Sequence, residues 1–146
     1  MATTNIFEPL KRPFTRTRGY WDHVRTNPGT WYGLDLAKPT GNYVYSPLRL
    51  KILLTNYDRF SGYNILAQVR WSTGNLGNLY FWFAHLSKFN VKRGQSVTLK
   101  TIIARSGATG TVSGPHLHWS ILVRNAWGRY IPVNPEDTKR FKLLRL

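Results

Sequence analysis

The chain has 146 residues with no cysteine, 42% hydrophobic and 14% aromatic content. That is long and apolar enough for one core, and it excludes a disordered chain, a disulfide framework, a thiolate metal site and a thiol nucleophile. Twenty-one Lys and Arg against six Asp and Glu give a net charge of +15, a surface that attracts nucleic acid, anionic wall polymers or an acidic protein neighbour. No helix-turn-helix, zinc-finger or RNP-like pattern accompanies the charge, which leaves nonspecific polyanion or nucleic-acid binding as one reading.

Residues 1 to 20 are polar, basic and proline-containing without periodicity, and are expected to form an N-terminal arm separate from a body over 21 to 146. Within the body, Trp31, Gly33 and Asp35 alternate as on one face of a strand. Asn56 to Gly62 is a loop. From Asn64 to Trp71, Ile65, Ala67 and Val69 alternate with Leu66, Gln68 and Arg70, the pattern of a strand with one buried face. Ser72 to Asn78 is a turn cluster that joins it to a partner strand, Leu79 to His85. A turn at Arg93 to Gln95 leads to a strand over Ser96 to Ala104. The glycine-, serine- and threonine-rich loop Ser106 to Gly114 then delivers the chain to a strand over His116 to Arg124. Asn134, Pro135, Glu136 and Asp137 carry the signals of a helix start, predicting a short C-terminal helix. No apolar run approaches the roughly 20 residues of a membrane span.

Of four histidines, two stand at His116 and His118, on one face of a strand because successive side chains alternate. Two imidazoles so placed can divide labour, one binding a metal while the other exchanges protons. With no thiol in the chain, a metal must be held by histidine and carboxylate.

Three segments, in order, resemble the lysostaphin/LytM-type zinc metallopeptidases, which cut peptide cross-links in peptidoglycan. Trp31 to Ala37 is similar to the family's His-x-Gly-x-Asp motif. Tyr80 to Ser87 is similar to the segment bearing its first catalytic histidine. Val91 to Val97, Ser106 to Gly110 and Gly114 to His118 are similar to its closing stretch. The resemblance covers roughly residues 30 to 135. It implies an all-β, single-domain antiparallel sheet of this type. It also implies Asp35 and His118 as zinc ligands, and His85 and His116 as the catalytic pair that moves protons and stabilises the oxyanion.

One position departs from the pattern: the first ligand histidine is Trp31, whose indole has no lone pair for zinc. The expectation is that Trp31 fills the vacated metal pocket and that the site is weakened or inactive. His23, twelve residues before Asp35, is the alternative ligand. The opening residues lack the basic-then-apolar pattern of a secretory signal. With the resemblance, that leads to the expectation of a protein made in the cytoplasm and carried in a phage virion or tail or released at lysis, engaging peptidoglycan peptide or neighbouring phage structural proteins. An active zinc endopeptidase is the competing reading; which residues bind substrate is not legible.

Overall fold

The computed structural model of the chain describes residues 3–26 and 30–146. Its centre is an antiparallel sheet built on β10 (His116–Arg124), which pairs on one side with β3 (Leu34–Ala37) and on the other with β7 (Leu76–Phe89). Beyond β7 come β6 (Gly62–Arg70), β5 (Leu50–Asp58) and the short β8 (Ser96–Val97). Beyond β3 comes β2 (Thr15–Arg18), and β11 (Tyr130–Val133) pairs with β10. β9 (Ile102–Ser106) joins β7 to β4 (Tyr43–Tyr45).

The alternation seen in the sequence sorts the two faces. Ile65, Ala67 and Val69 of β6, Phe81 and Phe83 of β7, and Leu117, Trp119 and Ile121 of β10 are fully buried in one continuous core. Each large aliphatic or aromatic side chain so buried is worth roughly 1.5–3 kcal/mol. The residues between them (Leu66, Tyr80, Trp82, His118, Ser120) point to the opposite face, where the site lies. Along β10, Leu117, Trp119 and Ile121 therefore hold the strand, while His116, His118 and Ser120 on the other face present chemistry.

Three expectations are corrected. The predicted C-terminal helix is absent. Asn134 does cap a turn, its side chain accepting from the Glu136 amide at 3.0 Å, but the chain then extends as β12 (Phe141–Leu144). There it pairs in parallel with β1 (Thr4–Phe7) and buries Phe141 in the core, a tertiary gain that overrides the local helix signals. For the same reason residues 3–18 are no free arm: Ile6 and Leu10 are fully buried, and β2 extends the main sheet. The stretch Ser96 to Ala104 is two strands, β8 and β9, broken by a turn in which Lys100 takes a positive φ of 64°.

The single helix among the described residues, α1 (Tyr20–Thr26), lies in the N-terminal segment. Gly19 precedes it, and the Asp22 carboxylate reaches back to accept from the Gly19 amide at 2.8 Å, half of a capping box. That bond, foremost among its surroundings, holds Asp22 below the usual carboxylate range. The Tyr20 hydroxyl donates to the Pro132 carbonyl at 3.2 Å, tying the helix to β11.

Candidate metal centre and peptidase groove

The register of β3 and β10 sets Asp35 directly opposite His118, so their side chains leave neighbouring strands on one face. His118 Nδ1 lies 3.0 Å from Asp35 Oδ1. From the other side, α1 brings His23 Nε2 to 3.2 Å from Asp35 Oδ2. His23, Asp35 and His118 are all buried, and their facing ligand atoms lie within 4.8 Å of one another.

The far nitrogens decide what this trio can hold. His23 Nδ1–H donates to the Gly19 carbonyl at 2.8 Å, one helical turn back. His118 Nε2–H donates to Ser120 Oγ at 2.8 Å and lies 2.9 Å from the Trp31 carbonyl, to which Ser120 Oγ–H also donates. A carbonyl only accepts, so each distal nitrogen carries its ring's proton in the neutral form. The nitrogens facing Asp35 are then bare lone pairs aimed at a carboxylate. Burial alone would raise the Asp35 carboxyl; hydrogen bonds and charge from His118 and His23, present when those rings carry a second proton, outweigh it and hold the group well below the usual range. Ionised Asp35 and two lone pairs require positive charge between them, either a second proton on each ring or one metal ion. Histidine ligands whose other N–H is given to a carbonyl or hydroxyl are the arrangement that metal sites use to fix tautomer and ring direction.

Two more histidines stand outside the trio. His116 Nε2 lies 3.6 Å from Asp35 Oδ1, and its Nδ1–H donates to the Gly114 carbonyl at 3.0 Å. His85 Nδ1–H donates to the Thr109 carbonyl at 2.8 Å, and its ring centroid is 4.9 Å from that of His116. His85 takes a positive φ of 63°, rare for a residue with a Cβ, which turns its ring out of the line of β7 toward β10. Burial pushes its imidazole down to about 4, against the Thr109 carbonyl acting in the opposite direction. In both rings Nδ1 carries the proton, leaving Nε2 able to accept.

Two glycines permit this geometry. A Cβ on Gly33 would sit 2.1 Å from the Trp119 carbonyl oxygen, so only glycine lets the segment before β3 lie against β10. A Cβ on Gly107 would sit 2.6 Å from the Ser87 amide, so only glycine lets the loop after β9 pass over His85 and set Thr109 on it.

The Trp31 side chain does not plug the centre. It leaves the strand line before β3 and packs edge-on against Trp82 and Tyr130, at centroid distances of 5.2 and 5.5 Å. It contributes its carbonyl to the His118–Ser120 bonds instead. Asp35, His85, His116 and His118 thus meet at one place, with His23 among them. Ser120, Thr109 and the Trp31 carbonyl, which sequence reasoning did not single out, orient the rings. An open groove of about 870 Å³ runs over them, walled by Phe60, Trp82 and the 111–115 loop.

The profile of Peptidase family M23 matches residues 29–135. The chain belongs to this family. It is 39% identical over 113 residues to the peptidoglycan DD-endopeptidase ShyA of Vibrio cholerae, a match covering 74% of this chain and 25% of that protein. It is 34% identical over 99 residues to lysostaphin of Staphylococcus simulans, covering 68% of this chain and 19% of that one. Among solved structures, the lysostaphin catalytic domain from Staphylococcus simulans superposes with a TM-score of 0.68 at 28% identity, over 84% of this chain and 89% of that one. A zinc-containing peptidase from Vibrio cholerae superposes with a TM-score of 0.69 at 29% identity, over 85% and 37%. The M23 chain described here thus spans about a quarter or less of these two curated relatives. Its antiparallel, mostly β architecture is that of the lysostaphin-type catalytic domains.

Proposed function

We propose that this M23 chain is an active zinc endopeptidase of peptidoglycan cross-links, with His23 serving in place of the histidine missing at Trp31. The observation that carries the reading is the convergence of His23 Nε2, His118 Nδ1 and the Asp35 carboxylate, each ring braced through its far nitrogen by a backbone carbonyl or Ser120. Two histidines and one carboxylate are a donor set that catalytic zinc accepts, with its fourth position left to water. Zinc bound there supplies Lewis-acid polarisation and a water acidified enough to attack at neutral pH.

The chain's own residues supply the rest. Asp35 stays ionised and is held by rings on both sides. His116, at the groove side of Asp35, offers Nε2 to take a proton from the attacking water and pass it to the leaving amine. Its Nδ1–H bond to Gly114 holds the ring in the tautomer this needs. His85, neutral at working pH with its Nδ1–H given to Thr109, stands beside it and offers Nε2 as an acceptor that orients the attacking water. The groove of about 870 Å³ runs over this line, and the name of the similar protein ShyA, a peptidoglycan DD-endopeptidase, supports peptide bonds of the wall as substrate.

The test is digestion of purified, cross-linked peptidoglycan by the full chain, followed by separation of the released fragments. Peptide cross-links are cut, a chelator stops the reaction and added zinc restores it. Intact cross-links with a zinc-loaded chain would instead favour a domain that engages the wall without cutting it.

A further inference from the structure

About 20 Å from the metal centre, six residues along β10 at roughly 3.3 Å each, the β6–β7 and β10–β11 turns form a surface that the peptidase reading does not use. The Asn78 side chain bonds both backbone groups of Arg124, donating to its carbonyl at 3.0 Å and accepting from its amide at 2.8 Å, so the two turns lie side by side. Trp127, at the tip of the second turn, is 86% exposed, and the turn is held by Asn125 Oδ1, which accepts from the amides of Trp127 and Arg129. Trp71, on the first turn, is 37% exposed and packs closely on Gly77: a Cβ there would sit 2.3 Å from the indole nitrogen.

The charges around these rings are unbalanced. From Arg59 to Pro135 the sequence has nine Lys and Arg and no Asp or Glu. The described ion pairs fall elsewhere: Glu8 with Arg12, Asp22 with Arg25, Glu136 with Arg16, and Asp35 within the metal centre. The Arg70 amide donates to the Arg49 carbonyl at 2.9 Å, continuing the Leu50–Val69 register and setting two guanidinium side chains on adjacent strands. Like charges so placed repel, and among the described residues no carboxylate relieves them. Arg49, Arg70 and Trp71, with Ser96 and Thr98, line a cleft of about 200 Å³.

We propose that this surface binds an anionic sugar polymer. Guanidinium pairs suit a carboxylate or phosphate; a flat, half-exposed indole suits the apolar face of a sugar ring rather than insertion into a bilayer; and the two turns together suit a chain rather than a single sugar. Bound in this way, the polymer would hold the groove against the wall between cuts.

The proposal is independent of cleavage and is tested by titrating the full chain with four soluble probes: polygalacturonate, neutral dextran, polyphosphate and oligo-dT. Polygalacturonate binds most tightly, and its affinity falls as salt rises. The double variant Trp71→Ala/Trp127→Ala weakens polygalacturonate by about tenfold, as loss of an exposed aromatic anchor does, and leaves polyphosphate unchanged. Arg49→Gln/Arg70→Gln weakens both. Thermal melts of the variants match wild type, and their cleavage of a soluble cross-linked peptide is unchanged. Equal binding of polyphosphate and polygalacturonate, tighter binding of oligo-dT, or full binding by both double variants would overturn the proposal.

Discussion

His118 and His23 face the same carboxylate from unlike supports. β10 is hydrogen-bonded to β3 on one side and β7 on the other, with Leu117 and Trp119 fully buried beside His118. α1 is seven residues long, too short to be stable in isolation, and is held by the Asp22–Gly19 cap, the Tyr20–Pro132 bond and the packing of Tyr20 on Tyr32. One half of the proposed metal centre is fixed by the sheet. The other depends on how well the segment before β3 is anchored, and that segment lies outside the residues matched by the family profile. On the proposed reading, a ligand moved from a strand to a short helix would make metal affinity sensitive to positions far from the metal.

The largest break in this comparison comes from removing residues 1–18. Ile6 and Leu10 are fully buried, worth roughly 1.5–3 kcal/mol each, and β12 and β3 each lose a partner strand. Against a total stability of about 5–15 kcal/mol, the truncated chain has no cooperative thermal transition. A melt like that of the full chain would make the segment an arm after all. Next is Ser120→Ala, which takes the hydroxyl from His118 Nε2 on the rigid side. Loss of such an outer partner costs about 10–100-fold in zinc affinity, read by competition with a chromogenic chelator. Asp22→Ala acts on the other side: it removes the bond that caps the helix, and zinc affinity falls by about fivefold with little change in the melt. If Asp22→Ala leaves affinity untouched, the helix is not the weaker support.

A pH-dependent effect concerns the outer pair. His85 has its imidazole lowered to about 4 in the folded chain, against about 6.5 when unfolded. Its contribution to stability is therefore complete above about pH 6.5 and lost as pH falls through about 4, because the unfolded chain takes up the proton first. In chelated protein, a histidine-resolved NMR titration places the His85 midpoint near 4, and His85→Gln flattens the loss of stability between those limits.

Much of the fold was legible because the alternation in β6, β7 and β10 is regular and the loop glycines punctuate it. Placing His85, His116, His118 and Asp35 together followed from spacing and resemblance. What was not legible depends on contacts between distant parts of the chain. The Asn134–Asp137 stretch carries real helix-start chemistry, and only the pairing of β12 with β1 reveals why it stops after one turn. Residues 1 to 20 look arm-like because Ile6 and Leu10 stand singly among polar residues, without periodicity to mark them as core. Trp31 keeps the two-residue spacing of a strand face with Gly33 and Asp35, but β3 begins only at Leu34. His23 had one local signal, the Gly19–Asp22 spacing of a cap, but nothing local says that α1 turns toward Asp35.

The central claim is that His23 completes the metal centre, and zinc content measures it most directly. The full chain, purified without added metal and assayed by elemental analysis, carries one zinc per molecule. His23→Ala carries well under one while keeping its thermal melt in chelator, and Trp31→His leaves the wild-type stoichiometry unchanged. Wild-type protein with little zinc, and stoichiometric zinc only after Trp31→His, would contradict the account and leave Trp31 as the residue that disabled the site.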